Sequence, residues 1–282
     1  MKNFVILVII SVLFFSACDK NHKYDKAENM TSYGNKKEEE AIGGSDWNFT
    51  LQSNFIKEGD WIPLYEKLTD EEVLTANEGD VQYAVRAEIE QDLESDEFFQ
   101  RMRFTFENGD FKQELIVPTA VWSSNFGCAD LNGDGYEEIF FVNDIGSGGG
   151  WFGFIQFEKN GNERGHFTEF DLFDPLISEN VDENASSDLI FSPSKHLLQG
   201  SFRCGGYQSV VTLYRIKNDM KLEKLYTMAT FGDSGNLEFI LTANTGTGEF
   251  KTSRKVVPES YTARQAEESI KEMIQQMEVW YK

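Results

Sequence analysis

The chain has 282 residues, of which 48 are Asp or Glu and 26 are Lys or Arg, for a formal net charge of −22. That charge argues against nucleic acid as a partner, because its phosphates would be repelled. It suits an exported protein with a solvated acidic surface and a site for a cation, and the 24 Phe residues favour a β-rich core.

Lys2 gives a positive start, and Phe4 to Phe15 is an apolar run broken only by Ser11. The run is too short for a membrane span and reads as the apolar segment of a signal peptide over residues 1–17. Small residues follow at Ser16 and Ala17, before Cys18. Phe15-Ser16-Ala17-Cys18 resembles a bacterial lipobox, with Phe15 where Leu is usual. The resemblance implies a lipoprotein: cleavage before Cys18, a lipid on its sulfur and an acyl chain such as palmitate on its new amino group. Two such chains already hold a protein to a membrane stably. The alternative is an ordinary secretory signal followed by a stray Cys. The expected location is the cell envelope, lipid-anchored (outer membrane, periplasmic or surface-facing), with the membrane and the face both left open. Residues 18–45 are rich in Lys, Glu, Asp and Asn, and their few apolar residues include Ala27, Met30 and Ile42. Such a segment cannot bury enough surface to offset its chain entropy, so a flexible tether is expected. Residues 46–282 suffice for one domain.

Within that domain, Thr69-Asp70-Glu71-Glu72 has the form of a capping box, predicting a helix that contains Leu74 and Ala76. Short strands follow. Tyr83, Val85, Ala87 and Ile89 alternate, as do Met102, Phe104 and Phe106. Glu107-Asn108-Gly109-Asp110 is a hairpin turn leading to a strand over Phe111 to Val117. Further strands are expected over Ile139 to Val142, Trp151 to Phe157, Gly165 to Phe170, His196 to Phe202, Ser209 to Ile216, Leu222 to Phe231, Leu237 to Thr242 and Glu249 to Val257. Over Ser260 to Tyr281, Ile270, Met273, Ile274, Met277 and Trp280 or Tyr281 fall at helical spacing, predicting a C-terminal amphipathic helix with a packing face. The predicted fold is mainly β: an antiparallel meander, propeller-like or sandwich, closed by that helix.

The segment Asp130-Leu131-Asn132-Gly133-Asp134-Gly135-Tyr136-Glu137-Glu138 places oxygen-bearing side chains at alternate positions of one tight loop. Ca²⁺ takes about six to eight oxygens at about 2.3–2.6 Å, several of them anionic. The expected ligands are the side chains of Asp130, Asn132, Asp134 and Glu138 and the backbone carbonyl of Tyr136, with Gly135 allowing the sharp turn. An Asx-rich turn without metal is the competing reading, but three carboxylates in one loop repel one another without a cation. Mg²⁺ fits less well, since it wants fewer protein oxygens and strict octahedral geometry. Phe141 at position twelve, where a bidentate Glu is needed, and flanks that read as strand argue against an EF-hand.

The loop resembles the calcium loops of the FG-GAP and VCBS repeat families, in which it joins two strands of a propeller blade and the ninth-position carboxylate closes the site. Glu138 stands where Asp is commoner, and the loop occurs once where those families repeat it. The chain is also similar to exported bacterial lipoproteins carrying one such loop, some of which are inhibitors or immunity proteins against wall-degrading enzymes.

Cys128 and Cys204 are the only thiols after Cys18. They either pair in an oxidising compartment or are two small buried residues. Gly146 to Gly150 precedes a strand and lacks the Lys of a phosphate loop, so it reads as a turn beside the metal loop. Trp47, Trp61, Trp122, Trp151 and Phe152 are each readable as core or as binding rim. His22, His166 and His196 lack metal-site spacing, and no GxSxG is present, so no catalytic residue is assigned. The expected function is a non-enzymatic envelope lipoprotein binding a protein or glycan partner through a Ca²⁺-stabilised domain. The alternatives are an inhibitor or immunity protein against a wall-degrading enzyme, and a glycan hydrolase.

Overall fold

The computed structural model describes residues 60–275, except 91–99, 122, 147–148, 160–164, 175, 182–187, 205–207, 234, 259–260, 262 and 274. The signal peptide, Cys18, the tether, Trp47 and Trp122 lie outside the described residues.

Strand β1 (Ile62–Pro63) leads into a 3₁₀ turn, Leu64–Lys67. Strands β2 (Leu74–Glu78), β3 (Val81–Glu90), β4 (Gln100–Asn108) and β5 (Phe111–Thr119) form a first antiparallel meander sheet. Strands β6 (Phe126–Ala129), β7 (Glu138–Gly146), β8 (Gly149–Glu158) and β9 (His166–Phe170) form a second. Strands β10 (Ile190–Ser192), β11 (Leu197–Cys204), β12 (Gln208–Ile216), β13 (Leu222–Asp233), β14 (Asn236–Asn244) and β15 (Phe250–Pro258) form a third, which β1 joins beside β10. A short helix α1 (Ala263–Ser269) follows.

Three apolar layers hold these elements together. Val85, Met102, Phe104 and Phe106 of the first sheet pack against Ile139, Phe141, Ile155 and Phe167 of the second. Phe106 and Phe167 stack with centroids 3.9 Å apart and planes 9° from parallel. Phe140 and Phe154, on the other face of the second sheet, pack against Phe191, Leu198, Tyr214 and Leu222 of the third. Leu213, Met228, Phe239 and Leu241 then meet Ala266, Ile270 and Met273 beyond α1's start. The middle sheet is buried on both faces, which explains the unbroken apolar run Ile139-Phe140-Phe141-Val142 in β7. The first sheet is buried on one face only. Its other face carries an ion-pair ladder, including Arg86–Glu107 at 2.7 Å and Arg103–Glu114 at 3.6 Å.

The mainly β, antiparallel expectation holds, and the sheets are stacked meanders with no closed barrel among the described residues. The helix expected after Thr69 does not form. Thr69 bridges Phe126, and Leu74 and Ala76 belong to β2, paired with Val85 and Tyr83. Thr69 Oγ1 does accept the Glu71 amide at 3.1 Å, so the capping residue makes a local turn without a helix behind it. At the C-terminus, Ala266, Ile270 and Met273 are buried as a packing face; Met277, Trp280 and Tyr281 lie outside the described residues.

Candidate metal centre

The acidic loop connects β6 to β7, so its flanks are strands. Gly133 and Gly135 both have left-handed backbones, with φ of 75° and 87°. These two positions let the chain fold back on the Asp130 side chain. Asp130 Oδ1 accepts the amides of Gly133 at 2.6 Å and Asp134 at 3.1 Å, and Oδ2 accepts that of Gly135 at 3.0 Å. Asn132 Oδ1 accepts the Asp134 amide at 3.0 Å, and Asp134 Oδ1 accepts the Tyr136 amide at 2.9 Å. Asn132 Nδ2 donates to Asp134 Oδ2 at 2.9 Å. Glu138, only 3% exposed, closes the loop by accepting the Leu131 amide at 2.9 Å through Oε2. Asp130, Asn132, Asp134 and Glu138 are thus joined into one hydrogen-bonded unit.

The loop is held from both neighbouring sheets. From the first, the end of β2 lies alongside it: Gly79 N donates to Gly135 O at 3.0 Å, and Glu137 N donates to Asn77 O at 2.9 Å. Glu137 Oε2 accepts both the amide and the side-chain Nδ2 of Asn77, each at 2.7 Å. From the turn that joins β12 to β13 of the third sheet, the carbonyl of Asn218 accepts Asn132 Nδ2 at 3.1 Å. The ring of His196, which has a left-handed backbone (φ 51°), lies against Gly133. A Cβ at Gly133 would fall 2.1 Å from His196 Cε1, so only glycine fits there. The loop therefore sits where all three sheets meet.

Glu78, at the end of β2, is 4% exposed, and neither carboxylate oxygen has a hydrogen-bond partner among the described residues. A buried carboxylate without a partner is costly, and native proteins rarely keep one without a reason. Burial, then the charges of Glu138, Glu137, Asp134 and Asp130, push its pKa up to about 9. Burial is also the main cause that raises Glu138 to about 8, against the lowering effect of the Leu131 amide. A cation at this place would relieve both groups.

Comparison with protein-family models, curated proteins and solved structures finds no match. The chemistry of the centre therefore rests on its own residues. Among the described residues, no three His, Cys, Asp or Glu side chains stand close enough together to hold an ion as they are placed. The loop acids are turned onto loop amides; a carboxylate oxygen has a second lone pair with which it can also ligate a cation. The donor set is all oxygen and mostly anionic, the set a hard cation prefers. An acid–base role for Glu78 and Glu138 is disfavoured by their burial, which keeps a glycan from reaching either oxygen pair.

Glu78, His196 and Asn218 were not singled out as partners of the loop from the sequence. Only Glu78 has a sequence signal. It continues the alternation Leu74, Ala76, Glu78, so the phase of β2 places a carboxylate on the buried face.

The Gly146–Gly150 turn does not lie beside the loop. It follows the end of β7, whereas the loop precedes its start, and a nine-residue strand spans about 30 Å. Gly150 backs onto Tyr65, and Phe152 packs edge-on to Tyr65 at 4.9 Å and to Phe140 at 6.3 Å, a half-buried ring lying against the core. Trp151 is half-buried and tilts against Phe202 at 6.4 Å. Trp61 is buried in the layer beneath α1. Cys128 is a free thiol; its Sγ donates to the Thr75 carbonyl at 3.6 Å, and burial pushes its pKa up to about 12. The side chain of Cys204 lies outside the described residues.

Proposed function

We propose that this chain is a lipid-anchored protein of the cell envelope whose single β-rich domain is stabilised by Ca²⁺ and binds a protein or glycan partner. Asp130, Asn132, Asp134 and Glu138, with the Tyr136 carbonyl, would hold the ion. One observation carries the metal reading: an all-oxygen acidic loop is clamped between three sheets and has uncompensated buried carboxylate beside it. Binding has to turn the loop carboxylates from the loop amides toward the ion. The loop's place between two antiparallel strands supports the likeness to the FG-GAP and VCBS loops. The lipobox-like Cys18 and the polar tether support the anchoring. Because the Gly-rich turn is at the far end of β7, the ion's role is to lock the junction of the sheets. Leu176 and Ile177, exposed at 90% and 45%, are apolar side chains a partner would cover.

The test is capture of partners from envelope extract by the full-length protein in detergent, in Ca²⁺ and in chelator, with Asp134→Ala as control. The reading expects a partner, protein or glycan, held by the wild type in Ca²⁺ and held less well in chelator or by the variant. Turnover of a glycan by the purified protein, or equal recovery in all arms, would count against it.

A further inference from the structure

We propose that the part of the third sheet left uncovered by the second is a docking face for an uncharged glycan. This deepens the partner-binding reading above and rests on it. The strand register carries the argument, because directly paired residues share a face. Phe202, Val210, Ala229 and Ile240 are paired in turn across β11, β12, β13 and β14. They lie on the face that Leu198 and Tyr214 turn toward the second sheet. None of the four belongs to the three apolar layers of the fold. All four are half-buried, and the neighbouring row exposes Phe231 at 37% and Val256 at 57%. Trp151 of the second sheet meets Phe202 at 6.4 Å and closes one side of this apolar strip.

A row of hydroxyls runs beside the strip. Thr212, Thr227, Thr242 and Thr252 are paired in turn across β12 to β15. The hydroxyls of Thr212 and Thr227 lie 3.1 Å apart, and those of Thr242 and Thr252 lie 3.2 Å apart. Each pair fixes two oxygens and leaves capacity for a ligand, since a hydroxyl donates once and accepts twice. Thr212 is buried, Thr227 and Thr242 are half-buried and Thr252 is exposed, so the row opens toward the edge of the sheet. Adjacent strands lie about 4.8 Å apart, so the three accessible hydroxyls span roughly 10 Å, the length of a disaccharide. Charge selects the occupant. The charged residues in these rows are Glu238 and Arg254, which pair at 3.7 Å, so the face is neutral in a chain of net charge −22. A face that is merely solvated looks different: the open face of the first sheet carries a ladder of ion pairs, Arg86–Glu107 and Arg103–Glu114 among them. Neutral rows of apolar groups and hydroxyls match a sugar chain, whose rings present apolar C–H groups flanked by uncharged hydroxyls. An acidic polymer, or a second copy with its own −22, would be repelled.

The test is calorimetric titration of the full-length protein, in Ca²⁺ and in a detergent without a sugar headgroup. The probes are short neutral oligosaccharides of glucose, mannose, galactose and N-acetylglucosamine, with oligogalacturonate as the acidic control. The wild type is expected to bind at least one neutral oligosaccharide and to leave oligogalacturonate unbound. Phe231→Ala removes an exposed ring of the face and should bind that oligosaccharide at least about tenfold more weakly. Thr252→Ala removes one hydroxyl at the open end of the row and should bind it about threefold more weakly. Both positions are exposed, so both variants should melt as the wild type does. No binding of any neutral oligosaccharide, preference for oligogalacturonate, or unchanged affinity in Phe231→Ala overturns the inference. A protein partner captured from envelope extract in Ca²⁺ would then keep the partner-binding reading while this inference falls. Capture of neither protein nor glycan would end both.

Discussion

Two carboxylates, Asp60 and Glu78, stand in the N-terminal part of the domain beside later elements of the fold, Asp60 at Ser192 and Ser194 and Glu78 at Tyr136, and their surroundings are opposite. Asp60 is exposed, and its oxygens are supplied with donors: Ser192 Oγ at 2.5 Å, Ser194 N at 2.8 Å and Ser194 Oγ at 3.0 Å. Those bonds, chiefly the one from Ser192, hold its pKa below the usual carboxylate value. Glu78 is buried, its oxygens have no donor among the described residues, and its pKa is pushed up to about 9. The first acid is complete within the protein. The second is complete only with a proton or a cation. Reading a carboxylate's role thus requires asking what satisfies it, beyond where it lies.

The contrast makes predictions of opposite sign. The largest is for the metal-free protein. A carboxylate whose folded pKa is raised favours the protonated fold, so its contribution is present below about 4.5 and lost as pH rises through about 8 to 9. Thermal melts in chelator should therefore fall steadily from about pH 5 to pH 9, and Glu78→Gln should flatten much of that slope. A flat profile for the metal-free wild type would remove the contrast. Asp60 works in the other direction: its contribution is present above the unfolded pKa and lost as acid brings the pH down through the lowered folded value.

A second effect sharpens the role of the junction. Gly133→Ala places a Cβ against His196 at a left-handed position. It should destabilise the fold by about 1–3 kcal/mol in denaturant titrations, with and without Ca²⁺, because the strain belongs to the backbone. The smallest effect is expected of Asp60→Ala. The site is exposed, so its loss should stay below about 1 kcal/mol and should not alter the response to Ca²⁺. A calcium response that changed with Asp60 would blur the distinction between the two acids.

What the sequence makes legible follows from how local each signal is. The alternation Met102-Phe104-Phe106 and the run Ile139 to Val142 report burial on one face or on both, and these strands stand where they were expected. Leu74 and Ala76 lie in a strand and not in the expected helix, because two apolar residues cannot separate the two and pairing with Val85 and Tyr83 decides it. The short strands β1, β6 and β10, of two, four and three residues, carry too little pattern to be seen. The loop was legible because its ligands are neighbours in sequence. Its clamps were not, since Asn77 at the end of β2, His196 before β11 and Asn218 in the β12–β13 turn are distant in sequence. Glu78 lies in Asn77-Glu78-Gly79-Asp80, which has the composition of an ordinary surface turn.

The central claim is that the Asp130–Glu138 loop is a cation site at the junction of the sheets. Its most direct test is thermal unfolding of the full-length protein in detergent, with Ca²⁺ at about a hundred times its dissociation constant and again in chelator. The account predicts a gain of about 2.7 kcal/mol in Ca²⁺, which for a domain of this size is a rise of roughly 5–10 °C. Superimposable melting curves in Ca²⁺ and chelator would contradict it.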